Sequence, residues 1–358
     1  MRTTIFRLPV RAVFVALLVT ASVFAQAPTQ PPAQPTAHAQ APTTAKPWPI
    51  RAVIIATFPG EFNLWAEREH LTETIELPGV TLPLHTNAEH TVLGMVSGMT
   101  LLNSSASTMV LGLDQRFDLT HAYFIINGIA GIDPLVGSVG SAAWANYVVG
   151  DVLKEIDDRE APADWPYGLF PDGANAPNPP TVRPGGNVFA LNTKLTAWAF
   201  EQTHELKLLD DPDVATFRAN YVGYPNALRP PFVLIGDDYS SDHYWHGKIL
   251  TQFARDFVRV YTGGKGTFAM TQMEDSGFMN SLMRLDRIHR VDINRVMVLR
   301  TASNYSMQWP SGTALESLTG HYPGGDKLAY ESAWLCGSTV LHNILTHWDK
   351  MYDHIPGD

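Results

Sequence analysis

The sequence predicts an α/β fold, a three-layer α-β-α sandwich around a central, mostly parallel or mixed sheet. Three observations carry this expectation. From residue 50 onward, apolar runs of strand length alternate with segments of helical periodicity. Several runs are apolar on consecutive positions, as in strands covered on both faces. No internal repeat or second low-complexity stretch divides the body of the 358-residue chain, so a single domain over residues 48–358 is expected.

The elements follow in order. IRAVIIAT, centred on residues 51–57, is a buried strand bounded by Pro59-Gly60, with a helix beginning near Glu61. TVLGMVSG is the next strand, and TLLNSSASTMVLGL carries apolar residues at helical spacing. AYFIING (122–128) reads as a strand stopping at a glycine turn, Asn127-Gly128-Ile129-Ala130-Gly131. The apolar stretch 122–150 is no bilayer span, because Asp133-Pro134 divides it into pieces shorter than a crossing. Residues 160–231, dense in Pro, Gly and Asn, suggest long ordered loops. PFVLIGDDY is a strand, Trp245 to Val260 a helix, TFAMTQME a strand, DSGFMNSLMRLDRI a helix and RVMVLRTAS a strand. Lys327 to Tyr352 closes the domain as an amphipathic helix with Leu341, Ile344, Leu345 and Trp348 in one stripe.

The amino terminus addresses the chain. Arg2, Arg7 and Arg11 precede an apolar run from Ala12 to Phe24, with small residues before Gln26, so residues 1–25 read as a secretory signal peptide. Residues 26–47, rich in Pro and Ala, read as a disordered linker, and the product is expected to be exported, periplasmic or secreted. No membrane span is expected after cleavage. The formal net charge of −10, without a basic cluster, argues against nucleic acid as a partner. Cys336, the only cysteine, lies in apolar AWLCGS and reads as packing rather than as a catalytic thiol.

Two strand ends concentrate the candidate chemistry. One apolar strand delivers Met273-Glu274 and a second delivers Arg300 and Asn304, which places polar side chains in the crevice where open α/β sheets bind ligands. A small-molecule site is therefore expected. Gly128 and Gly131 permit close approach of a ligand to the backbone, or serve a purely structural turn. They lack the full dinucleotide fingerprint, which disfavours a nucleotide cofactor; no cofactor is expected. His243 and His246 beside Asp237, Asp238 and Asp242 imitate a metal cluster without its helical spacing, so no metal is expected either. Asp238 and Glu274 suit paired carboxylates, although no spacing fixes their separation.

The order IIATFPGEFNLW, SGM, FIINGIAGI, LIGDDY, TQMED and RTASN resembles the nucleoside phosphorylase and nucleosidase superfamily. The RTASNY ending, the exported amino terminus and the long insertion most resemble its purine nucleoside permease branch. The resemblance implies a nucleoside-phosphorylase-like fold and a purine nucleoside as ligand. It implies that Glu274 accepts the ribose hydroxyls, that Met273 packs under the sugar and that Tyr239 stacks on the base. Glu61 would activate water, and Asn304 would donate a hydrogen bond to the purine where nucleosidases carry an acid. Each residue has a structural alternative: Glu61 and Glu274 as dipole-complementing acids at helix starts, Tyr239 as a core-edge tyrosine, Arg300 as an ion-pair partner. Ile126 and Ile129 replace the arginine and serine that hold phosphate in hexameric phosphorylases, so hydrolysis is favoured over phosphorolysis unless Arg300 compensates. The resemblance also implies a homo-oligomer. The alternative function is a non-catalytic nucleoside-binding component of uptake.

Overall fold

In the computed structural model, described over residues 46–172, 188–320 and 323–357, a 12-stranded mixed sheet organises the chain. The expected signal peptide lies outside the described residues, as does nearly all of the expected linker. Residues 45–358 form one compact unit. Strand Ala52–Ala56 lies parallel to both Val92–Val96 and Tyr123–Ile132. Strand Val296–Tyr305 runs parallel to Tyr123–Ile132 on its other side, paired along almost its full length. Phe268–Gln272 joins Tyr123–Ile132 in antiparallel register at Gly131 and Ile132, and Asp237–Ser240 lies parallel to it.

The alternation of side chains along these strands builds the three layers. Val53, Ile55, Phe124, Ile126, Val296 and Val298 face helices Thr100–Leu113 and Asp275–Arg287, packing on Leu111, Phe278, Leu282 and Leu285. Ala52, Ile54, Tyr123, Ile125, Met297 and Leu299 face the other way. They meet helices Pro59–Arg68, Thr193–Thr203 and Gly325–Thr346 through Trp65, Leu195, Ala199, Cys336, Val340 and Ile344. Both faces of the central strands are buried along nearly their whole length, which explains why the runs are apolar at consecutive positions. Burial without a partner pushes the Cys336 thiol up to about 12, as suits a packing residue. Among the described residues, no helix is long and apolar enough to cross a membrane.

Four expectations about elements are corrected. The strand from Tyr123 does not stop at a glycine turn; it continues to Ile132, because Gly128 and Gly131 make room for side chains from neighbouring elements. PFVLIGDDY is two strands, Val233–Ile235 and Asp237–Ser240, which part at Gly236 to pair with different neighbours. The stretch 160–231 holds helices Thr193–Thr203 and Pro212–Arg218, each capped by a side chain, Asn192 and Asp211. The closing helix is interrupted at His347, giving Gly325–Thr346 and Trp348–Asp353.

Trp65 locks helix Pro59–Arg68 onto the sheet. Its indole is fully buried, its Nε1 donates to Asn127 Oδ1 at 3.0 Å, and the absent Cβ of Gly337 leaves room for its ring. Asn127 in turn donates to the carbonyl of Ile55 at 2.8 Å. Trp65→Phe removes the donor and leaves Asn127 Oδ1 buried and unpaired. Urea denaturation should show a loss of about 2–3 kcal/mol, whereas a loss below about 0.5 kcal/mol would mean that this bond does not hold the helix.

Candidate functional site

Arg300 sits on the fifth residue of strand Val296–Tyr305, opposite Gly128 in the neighbouring strand, and is 1 % exposed. A guanidinium so buried needs counter-charge, and carboxylates from three directions supply it. Asp275, at the start of helix Asp275–Arg287, takes Nε at 3.0 Å and Nη2 on its two oxygens. Glu274 Oε2 lies 3.6 Å from Nη2 and Glu61 Oε1 lies 4.0 Å from Nη1. Nη1 also donates to the carbonyl of Ile129. A Cβ on Gly128 would fall 2.3 Å from Arg300 Nη1 and 2.5 Å from Glu61 Oε1, so only glycine fits between them.

Glu61 is a buried acid of the first turn of its helix. Its Oε2 accepts from the amide and hydroxyl of Thr57 at 2.7 and 2.6 Å, and Oε1 accepts from the amide of Ile129 at 2.7 Å. Burial pushes the carboxyl above its ordinary range, against the opposing pull of Arg300. Glu274 accepts from the amides of Thr100 and Met273, both at 3.2 Å. Thr100 reaches this position with φ of 80°, a costly conformation for a β-branched residue, worth about 1–3 kcal/mol of local strain. Burial, and then repulsion from Glu61, outweigh Arg300 and push Glu274 up to about 7. Each carboxylate keeps unshared lone pairs beyond these backbone donors.

Asn304 follows Arg300 past a bulge in the same strand and is half-buried. Its Nδ2 donates to the carbonyl of Tyr305 at 2.9 Å and to the hydroxyl of Tyr244 at 3.3 Å. Gly131 faces this amide, since a Cβ there would lie 3.2 Å from Nδ2. Met273 and Ile129, both partly exposed, border the two glutamates.

The structure therefore brings Glu61, Gly128 and Glu274 around one guanidinium, with Met273 next to Glu274 and Asn304 on the same strand as Arg300. Tyr239 stands apart. It packs against Phe253, Phe257 and Trp245 and lines a separate cavity of about 380 Å³ with Asp151, His243 and Leu153. Alternation along Asp237–Ser240 is the reason: Asp238 turns toward Asp275 and Arg300, so Tyr239 turns away. Arg300 donates to Asp275 through Nε and Nη2 and to the carbonyl of Ile129 through Nη1, with Glu274 and Glu61 close by. Sequence reasoning missed Asp275, the tightest partner of Arg300, and Tyr330, whose hydroxyl crowds Gly60 and feels the charge of Glu61. Asp275 next to Glu274 is the one signal in the sequence for the former; nothing local marks the latter.

The chain matches a family model described as purine nucleoside permease over residues 49–356. It is similar to a purine nucleoside permease of Candida albicans, 31% identical over 328 residues, covering 88% of this chain and 80% of that one. A probable purine nucleoside permease of Schizosaccharomyces pombe is 30% identical over 316 residues, covering 83% and 90%. Among solved structures, the fold is shared with a 5′-methylthioadenosine/S-adenosylhomocysteine nucleosidase of Helicobacter pylori, with TM-score 0.51, 15% identity and coverage of 82% and 99%. A futalosine hydrolase of the same organism gives TM-score 0.52, 13% identity and coverage of 82% and 98%.

The raised Glu274 carboxyl makes stability depend on pH. A folded value of about 7, above the unfolded one, stabilises the fold at low pH, and that contribution is lost as pH rises through 7. Between pH 5 and pH 8 the wild type should lose stability relative to Glu274→Gln, on the order of 1–3 kcal/mol in urea denaturation. Parallel curves for the two proteins would contradict the assignment.

Proposed function

Since the chain belongs to the purine nucleoside permease family, we propose that it binds purine nucleosides at the Arg300 cluster and cleaves their N-glycosidic bond with water as acceptor. The observation that carries this is the convergence of Glu61 and Glu274 on one buried guanidinium. Glu274, with two oxygens held by backbone amides, suits the vicinal ribose hydroxyls, and Met273 offers a polarizable thioether beneath the sugar. A cluster holding more carboxyl groups than cations favours the oxocarbenium-like cation that forms as the bond breaks.

In the proposed step, Glu61 takes a proton from water as the water oxygen bonds to C1′. The C1′–N9 electron pair leaves with the purine. Burial raises the Glu61 carboxyl and makes it a better base than an exposed one. Asn304 exchanges its bond with the exposed Tyr244 hydroxyl for purine N7 and keeps its other N–H on Tyr305. An amide donates a hydrogen bond but no proton, so the departing base draws its proton from solvent. On the expectation of a leader at residues 1–25, the activity is exported, in the periplasm or outside the cell. The amide at 304 also favours a second reading, nucleoside binding without cleavage in the service of uptake.

Incubation with inosine, adenosine and guanosine, with and without phosphate, followed by chromatography, separates the readings. Free base should appear in both conditions, without ribose 1-phosphate. Glu61→Gln should lower turnover about 10²- to 10⁴-fold while calorimetric affinity stays within about threefold. Binding without product supports the uptake reading, and no binding of any purine nucleoside ends both.

A further inference from the structure

Asp238 is as buried as Arg300, at 1 % exposure. On strand Asp237–Ser240 its side chain interacts with that of Asp275, which is fully buried and already holds Arg300 through both oxygens. One Asp238 oxygen, Oδ2, has no hydrogen-bond partner among the described residues. An ionised carboxylate with an orphaned oxygen in a dry interior would cost several kcal/mol, and more beside a second carboxylate. A neutral carboxylic acid resolves both problems. Its hydroxyl donates to Asp275, and its carbonyl oxygen tolerates the missing partner at much lower cost. Burial and the neighbouring Asp275 both push the Asp238 carboxyl well above its ordinary range, in agreement with the geometry.

Resting on the nucleoside site proposed above, we propose that Asp238 is a positioning residue, a protonated acid that donates to Asp275 and thereby fixes Arg300. With Asp275 restrained, the guanidinium cannot rotate toward Glu274 or Glu61 and form a tight bidentate pair with either. The separations of 3.6 and 4.0 Å leave both glutamates their free lone pairs for substrate. An ionised Asp238 would instead compete with Asp275 for Arg300.

Two variants of nearly equal volume separate positioning from packing. Asp238→Asn keeps a donor toward Asp275, and Asp238→Leu removes it. The infrared difference between wild type and Asp238→Asn at pH 8 should contain a protonated-carboxyl band. Inosine affinity should stay within about threefold in Asp238→Asn and fall at least tenfold in Asp238→Leu, with both proteins folded by circular dichroism. Absence of the band, or equal inosine affinity in the two variants, would overturn the proposal. If the wild type itself does not bind inosine, the nucleoside reading fails, and the infrared band still decides the protonation of Asp238. In that case the titration midpoint of Glu274 is the second readout, kept in Asp238→Asn and displaced in Asp238→Leu.

Discussion

A single guanidinium, Arg300, draws together three acids that the chain delivers from two places: Glu61 from a helix after the first central strand, and Glu274 with Asp275 from the start of another helix. The surrounding architecture is shaped by the need to bury that charge. Gly128 lies inside a continuous strand because any side chain there would strike both Arg300 and Glu61. Thr57 and Ile129 turn backbone amides onto Glu61, and Thr100 accepts a left-handed backbone to turn its own onto Glu274. Each donor lowers the cost of keeping a carboxylate out of water, and none alone suffices.

The charge balance of the cluster links fold to chemistry. One permanent cation faces Glu61, Glu274 and Asp275, with Asp238 behind them. Burial raises Glu61, burial and then the charge of Glu61 raise Glu274, and the excess of carboxyl groups over cations leaves a negative potential in a nearly dry site. Such a potential serves a reaction in which positive charge develops on a bound sugar, and it repels a phosphate dianion. Water as acceptor and a sugar cation as transition state are consistent with this electrostatics.

The central strands were legible because burial on both faces leaves apolar runs that need no periodicity to be seen. Helix Thr193–Thr203 was not, because surrounding prolines and glycines masked a three-turn pattern anchored by Leu195 and Ala199 and capped by Asn192. The glycines at 128 and 131 misled for a physical reason: a missing side chain is used here for the approach of other side chains, whereas in sequence it resembles a turn. Glu61, Glu274 and Asn304 were singled out through motif order, and the structure places the two glutamates beside Arg300 and the amide on the same strand. Tyr239 shows the limit of that route. A shift of one position in a strand exchanges faces, and the structure gives the inward place to Asp238.

The dependence of the cluster on its one cation is tested most directly by Arg300→Met in urea denaturation at pH 8 and pH 5. Removing the guanidinium strands buried carboxylates, so stability at pH 8 should fall by about 3–5 kcal/mol. Much of that loss should be recovered at pH 5, where the raised Glu61 and Glu274 carboxyls take up protons. A loss below about 1 kcal/mol at pH 8, or an equal loss at both pH values, would contradict the account.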